Sequence, residues 1–185
     1  MKNIVIYCGS HYGADSEYPS FAGRLGEALG KGGYRMVYGG GSIGLMGIAA
    51  DSAMSAGAHV TGIIPEVFIS REQAHRGITE LIEVKDMEER KKKMIDMGDA
   101  FIILPGGIGT MEELMDTFSH YKIYSAPSDR PPVIIMNLGG IYDPLKDLFR
   151  NLLAQGFMEE EDMAPIHFCT TLEEVMEIIS CSQQR

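Results

Sequence analysis

The chain has no tryptophan, little cysteine and a shortage of positive charge. Its three cysteines in 185 residues, Cys8, Cys169 and Cys181, are too few and too scattered for a disulfide framework or a zinc site, so reduced thiols and no metal centre are expected. Lys and Arg number 16 against 26 Asp and Glu, a formal net charge of −10. Phosphate polymers and anionic membranes attract basic surfaces, so neither nucleic acid nor a membrane is expected as a partner. A small phosphorylated ligand, held by a few local donors, is still allowed. No apolar stretch approaches the roughly 20 residues of a membrane span. Met1-Lys2-Asn3 runs straight into a strand-like segment, so no signal peptide is expected and the location is read as cytoplasmic. There is no internal repeat, low-complexity tract or Pro/Ser-rich linker, and a single domain over 1–185 is expected. What is present is ordinary for a globular chain, 45% apolar and 23% charged residues. The length suffices to bury a core without cross-links.

Short apolar runs recur at Asn3–Cys8, Arg35–Tyr38, His59–Ile64, Ala100–Leu104 and Pro132–Met136. They are continuous rather than alternating, as strands buried on both faces are. Segments of helical period lie between and after them: Tyr18–Gly32, Ile43–Ala56, Glu112–Ile123, Leu145–Leu153 and Leu172–Ile179. This alternation predicts an α/β fold, a Rossmann-like doubly wound parallel sheet with helices on both faces. Pro65–Gly77 reads as a loop at a strand's carboxyl end, where ligands bind in this architecture.

Two strand exits are rich in glycine. In the first, Gly39, Gly41 and Gly44 satisfy G-x-G-x-x-G between a strand and a helix. Glu66 lies near the end of the next strand, where a dinucleotide-binding fold places its ribose-binding acid. Tight packing of helix on sheet explains the glycines equally well, and the motif follows the second strand rather than the first. The second exit is Pro105-Gly106-Gly107-Ile108-Gly109-Thr110-Met111-Glu112-Glu113. Thr110 is placed to cap the following helix, and the N–H groups of Gly107 to Met111 are expected to converge on a phosphate. Glu113 sits at capping-box spacing from Thr110, so it is either a cap or a chemical group, with Glu112 as the solvent-facing neighbour. The run Met87-Glu88-Glu89-Arg90-Lys91-Lys92-Lys93-Met94 reads on its own as a solvated helix face with Glu88–Lys92 and Glu89–Lys93 pairs.

Together these blocks are specific. Pro105-Gly106-Gly107-x-Gly109-Thr110-x-x-Glu113, preceded by Met87-x-x-Arg90-Lys91, resembles the LOG ("Lonely Guy") family of cytokinin riboside 5′-monophosphate phosphoribohydrolases, whose members often carry the label lysine decarboxylase-like. Cys8-Gly9-Ser10, the Tyr38–Gly47 block, Asp99–Pro105 and Asn137-Leu138-x-Gly140-x-Tyr142-Asp143-Pro144 also match, so the likeness covers roughly residues 3–160. The resemblance implies a homodimer as the minimal unit. It also implies cleavage of a nucleoside 5′-monophosphate, AMP or an N6-substituted AMP, to free base and ribose 5-phosphate, with no cofactor. It implies Arg90 and Glu113 as the catalytic pair and Gly107, Ile108, Gly109 and Thr110 as the phosphate loop. Glu72, Lys91 and Ser119 fall on further substrate-contact positions. Phe118–Tyr124 departs from the Thr-Trp-Ala-Gln-Leu-Gly usual in plant-like members, which bears on base preference more than on reaction type.

Chemistry fits that implication. Breaking an N-glycosidic bond builds positive charge on the ribose, which a nearby carboxylate stabilises while orienting or deprotonating the attacking water. Three other readings compete. A non-catalytic nucleotide sensor or carrier needs the loops but not both Arg90 and Glu113. A pyridoxal-dependent decarboxylase needs a desolvated lysine, and Lys91, Lys92 and Lys93 lie in a charged run. An NAD(P) enzyme leaves the second glycine exit unexplained.

Overall fold

The computed structural model describes residues 2–69 and 73–181. Its strands are β1 (Asn3–Tyr7), β2 (Arg35–Tyr38), β3 (Val60–Pro65), β4 (Glu80–Val84), β5 (Ala100–Ile103), β6 (Val133–Met136) and β7 (Ile166–Cys169). The helices are α1 (Glu17–Lys31), α2 (Gly44–Ser55), α3 (Glu66–Ile69), α4 (Met87–Met97), α5 (Ile108–Tyr124), α6 (Asp143–Ala154), α7 (Glu160–Met163) and α8 (Leu172–Cys181). All seven strands are parallel, in the order β4-β3-β2-β1-β5-β6-β7. The chain winds outward from β1 to β4, then crosses back to β5 on the other side of β1. The doubly wound sheet expected from the apolar runs is therefore present, and its switch point lies between β1 and β5.

Side-chain alternation divides the core into two layers. Ile4, Ile6 and Cys8 join Phe21, Leu25 and Leu29 of α1, Ala49 and Ala53 of α2, and Val175 and Ile179 of α8. Val5 and Tyr7 join Met94 of α4, Leu114 of α5 and Phe149 of α6 on the opposite face. Both faces of the central strands are thus sealed, and each large apolar side chain buried there contributes about 1.5–3 kcal/mol.

Two edge strands escaped the search for continuous apolar runs. In β4, Glu80 is exposed and Leu81 to Glu83 are only partly buried or exposed, while in β7 Ile166 and Cys169 are buried and His167 and Phe168 between them are half-buried. An edge strand covered incompletely has no need of an unbroken apolar sequence. The expected loop at Pro65–Gly77 contains the single turn α3.

Helices α1 and α2 approach closely because small residues line their contact. A Cβ on Gly26 falls 2.3 Å from the Ala49 carbonyl oxygen, whereas one on Gly23 meets Ser52 Oγ at 3.5 Å, an ordinary contact. Gly26→Ala is therefore expected to cost about 1–3 kcal/mol of stability by overpacking against backbone. Gly23→Ala is expected to gain up to about 1 kcal/mol from helix propensity. Urea unfolding of the two variants should move in opposite directions, and equal effects would contradict this account of the interface.

Candidate active site at the switch point

The carboxyl ends of β1, β2, β3 and β5 open into one pocket of about 680 Å³. This is the crevice where open α/β sheets bind ligands. Backbone bonds stitch its walls together. Gly9 N–H donates to the Pro105 carbonyl at 3.0 Å, and Leu45 N–H donates to the Gly9 carbonyl at 3.1 Å. Gly44, at φ +65°, lets α2 begin against the β1 exit: a Cβ there would lie 2.3 Å from the Ser10 carbonyl carbon. The β5 exit is braced from below by Tyr142, whose hydroxyl donates to the Leu104 carbonyl at 2.8 Å. Tyr142 is itself held by its N–H on Asn137 Oδ1 at 2.7 Å, and Asn137 Nδ2 bonds Asp143 Oδ1.

Helix α5 starts at this braced exit. Gly107, extended at φ −91° and ψ −155°, is its N-cap. The N–H of Met111 returns to the Gly107 carbonyl at 3.1 Å. The preceding N–H groups of Ile108, Gly109 and Thr110 have no carbonyl within the helix to receive them, and they stand at the positive end of the helix dipole. Nothing lies within 4 Å of a Cβ built on Gly107 or Gly109, so no packing inside the chain demands glycine there. Open, side-chain-free backbone at a helix N-terminus is the form an anion cradle takes. Thr110, expected as the cap, instead lies inside the first turn, buried, with its side chain over Gly106. Met111, expected to contribute to the cradle, is already bonded.

The capping-box alternative for Glu113 falls with that shift. Glu113 is buried on the inner side of α5 and pairs with Arg90 of α4, Nη1 to Oε1 at 2.8 Å, with the two side chains 10% and 7% exposed. Arg90 Nε donates to the Ile63 carbonyl at 3.1 Å. Its other amino group lies against Gly39, where a Cβ would come within 2.0 Å. The first glycine exit thus serves two purposes: Gly44 permits helix packing and Gly39 makes room for a guanidinium. Burial pushes the Glu113 carboxyl above the ordinary glutamate range, and the charge and hydrogen bond of Arg90 pull it back. Cys8, also at the pocket, has its thiol pushed up by burial, which disfavours the thiolate. Among the described residues no His, Cys, Asp and Glu cluster is arranged to hold a metal ion.

A family model described as "Possible lysine decarboxylase" matches residues 46–179. A cytokinin riboside 5′-monophosphate phosphoribohydrolase of Rhodococcoides fascians is 37% identical over 175 residues, covering 93% of this chain and 86% of that protein. The chain belongs to the LOG family. The rice enzyme of the same name is 39% identical over 163 residues, covering 87% of this chain and 65% of its own. A molybdenum cofactor binding protein of Rippkaea orientalis shares the fold at a TM-score of 0.75 and 20% identity, covering 98% of this chain and 97% of its own. At that identity the likeness shows the fold alone.

The LOG motifs are distributed unevenly over the site. Arg90, Gly107, Ile108, Gly109, Thr110 and Glu113 all line the pocket. Lys91 and Ser119 do not. Lys91 Nζ is engaged by Glu112 Oε1 and Asp116 Oδ2, each at 2.6 Å, which raises its pKa, and Ser119 is exposed farther along α5. Glu72 lies outside the described residues. The charged run is not a solvated face throughout, because Arg90 and Met94 are buried, and Glu89 accepts the Lys85 N–H instead of pairing with Lys93. Glu66 is exposed on α3 and away from the pocket, so the dinucleotide reading loses its ribose acid. Among the described residues no lysine lines the pocket, so the residues present do not fit pyridoxal phosphate. Sequence reasoning assigned no role to Tyr142 and overlooked Gln73, which lines the pocket from the chain after α3.

Breaking the buried pair should be costly. Arg90→Met strands a buried carboxylate and is expected to lose about 3–5 kcal/mol. Adding Glu113→Leu should recover most of that loss in urea unfolding. A double variant no more stable than Arg90→Met would contradict the pairing.

Proposed function

We propose that this chain is a nucleoside 5′-monophosphate phosphoribohydrolase. It hydrolyses the N-glycosidic bond of AMP or an N6-substituted AMP, such as a cytokinin riboside 5′-monophosphate, to free base and ribose 5-phosphate. The observation that carries this reading is the buried Arg90–Glu113 pair directly beside the open amides at the start of α5. The names of the LOG relatives support it.

Phosphate occupies the amides of Ile108, Gly109 and Thr110, and its binding energy fixes the sugar over the pair. Glu113 follows by little more than one helical turn, so its carboxylate lies within reach of the ribose. Cleavage takes the bonding electrons to the base, whose ring nitrogen gains a proton balanced by the one the attacking water gives up, and leaves an oxocarbenium-like ribose. The Glu113 carboxylate stabilises that charge and orients or deprotonates the water that adds at the anomeric carbon. Arg90 keeps Glu113 ionised in a desolvated setting. Lys91 and Ser119 act, in this reading, outside the pocket wall of one subunit.

A homodimer of cytoplasmic location completes the proposal, with no cofactor and no nucleic acid or membrane partner. Ile108, 87% exposed, and Ile43, 47% exposed, at the pocket's lip support a second subunit closing the site. Among the described residues no helix is long and apolar enough to cross a membrane.

Incubation with AMP in phosphate-free buffer should yield adenine and ribose 5-phosphate in equal amounts by NMR. Glu113→Gln keeps a hydrogen-bond acceptor for Arg90 but removes its counter-charge, so it should fold with lowered stability and lose at least about 100-fold in kcat at a temperature where it is folded. Tight AMP binding without any base release would instead favour a carrier.

A further inference from the structure

The segment after α3 is fastened across the first glycine exit. His75 N–H donates to the Gly40 carbonyl at 2.8 Å, and Ser42 N–H donates to the Gln73 carbonyl at 3.0 Å. Ser42 Oγ adds a second bond to that carbonyl, and His75 Nε2 meets Asp51 Oδ1 at 2.9 Å. These bonds place Gln73 at the pocket wall on the β2 and β3 side. Among the described residues its hydrogen bonds are all made by its backbone, the N–H to Phe68 included, and its side-chain amide has no partner there. Its pocket neighbours there are apolar: Met46, Ile64, Phe68 and Met87.

The sheet sets the distance between this amide and the anion cradle. The cradle stands at the end of β5, and Gln73 stands over the ends of β2 and β3, two to three strands away across β1. At about 4.8 Å per strand that is about 10–14 Å, the reach of an extended nucleoside monophosphate from phosphate to base edge. The Arg90–Glu113 pair lies between, under Gly39 and against Ile63, where the sugar falls. The apolar neighbours suit a planar ring. A free amide offers one acceptor and one donor side by side, the complement of an adenine edge with its N6 amino group and N7.

Resting on the function proposed above, we infer that Gln73 is a specificity-determining residue that selects 6-aminopurine over 6-oxopurine nucleotides. A 6-oxopurine presents two acceptors, O6 and N7, on the same edge, and one amide cannot donate to both. Gln73 takes no part in bond breaking, and its effect lies in the choice between bases.

AMP and IMP distinguish the possibilities, measured by calorimetric binding and by kcat/KM for base release. Wild type should prefer AMP. Gln73→Leu should reduce kcat/KM for AMP about tenfold, leave IMP nearly unchanged and thereby abolish the preference. Gln73→Lys, with donors only, should turn the preference toward IMP. A merely structural role lowers both nucleotides together, and an AMP-to-IMP ratio unchanged in both variants would overturn the assignment. Wild type that binds AMP over IMP in a Gln73-dependent way but releases no base overturns the hydrolase reading and leaves the recognition intact. Wild type that binds neither nucleotide overturns both.

Discussion

An arginine and a glutamate held together out of water are the constraint around which this structure is arranged. Such a pair is expensive to bury and is tolerated only where geometry and extra hydrogen bonds offset desolvation. Here the offsets are visible. Arg90 has the Ile63 carbonyl for its Nε and a glycine instead of a side chain above its outer amino group. Glu113 has Arg90 itself. The helices that carry them are joined again by Lys91, which grips Glu112 and Asp116 of α5 from α4. Adjacent residues thus serve opposite environments: Arg90 makes the buried contact and Lys91 the more exposed clasp over the same helix pair.

The second requirement of the proposed function is to hold an anion on a protein of net charge −10 whose pocket has no lysine among the described residues. Free amides at the start of α5 supply it, and their positions depend on a chain of buried polar contacts from Asn137 through Tyr142 to the Leu104 carbonyl. In that proposal global charge and local anion affinity are decoupled. The switch point matters because it leaves a crevice between β1 and β5 that the winding helices do not fill.

Much of this was legible in the residues. The central strands show as continuous apolar runs because both their faces are covered, and the long helices show by period. The edge strands β4 and β7 did not, since Glu80, Glu83 and His167 answer to solvent on one side. The start of α5 was misplaced because Thr110 has a capping side chain, while the actual cap, Gly107, has none and works through backbone conformation alone. Spacing left Glu113 open between cap and chemical group; the folded cap at Gly107 removes the first reading, and the pairing with Arg90, 23 positions earlier in the chain, is visible only in the fold. The placement of Gln73 carries no local signal, because it depends on Ser42 bonding its carbonyl and on nearby His75 bonding the Gly40 carbonyl, and Ser42 and Gly40 are both distant in sequence.

In the proposed function Glu113 acts as a carboxylate whose ionisation is balanced between burial and Arg90. The most direct test compares the titration of the Glu113 carboxyl, followed by ¹³C NMR, with the acid limb of kcat/KM for AMP. If Glu113 works as the ionised carboxylate the proposal requires, activity should be highest on the alkaline side of its titration, which burial raises. It should fall as the pH drops through the Glu113 titration, at a point above the ordinary glutamate value of about 4.3. In Arg90→Met the carboxyl should titrate at still higher pH. A rate that stays constant while Glu113 takes up its proton would contradict the account.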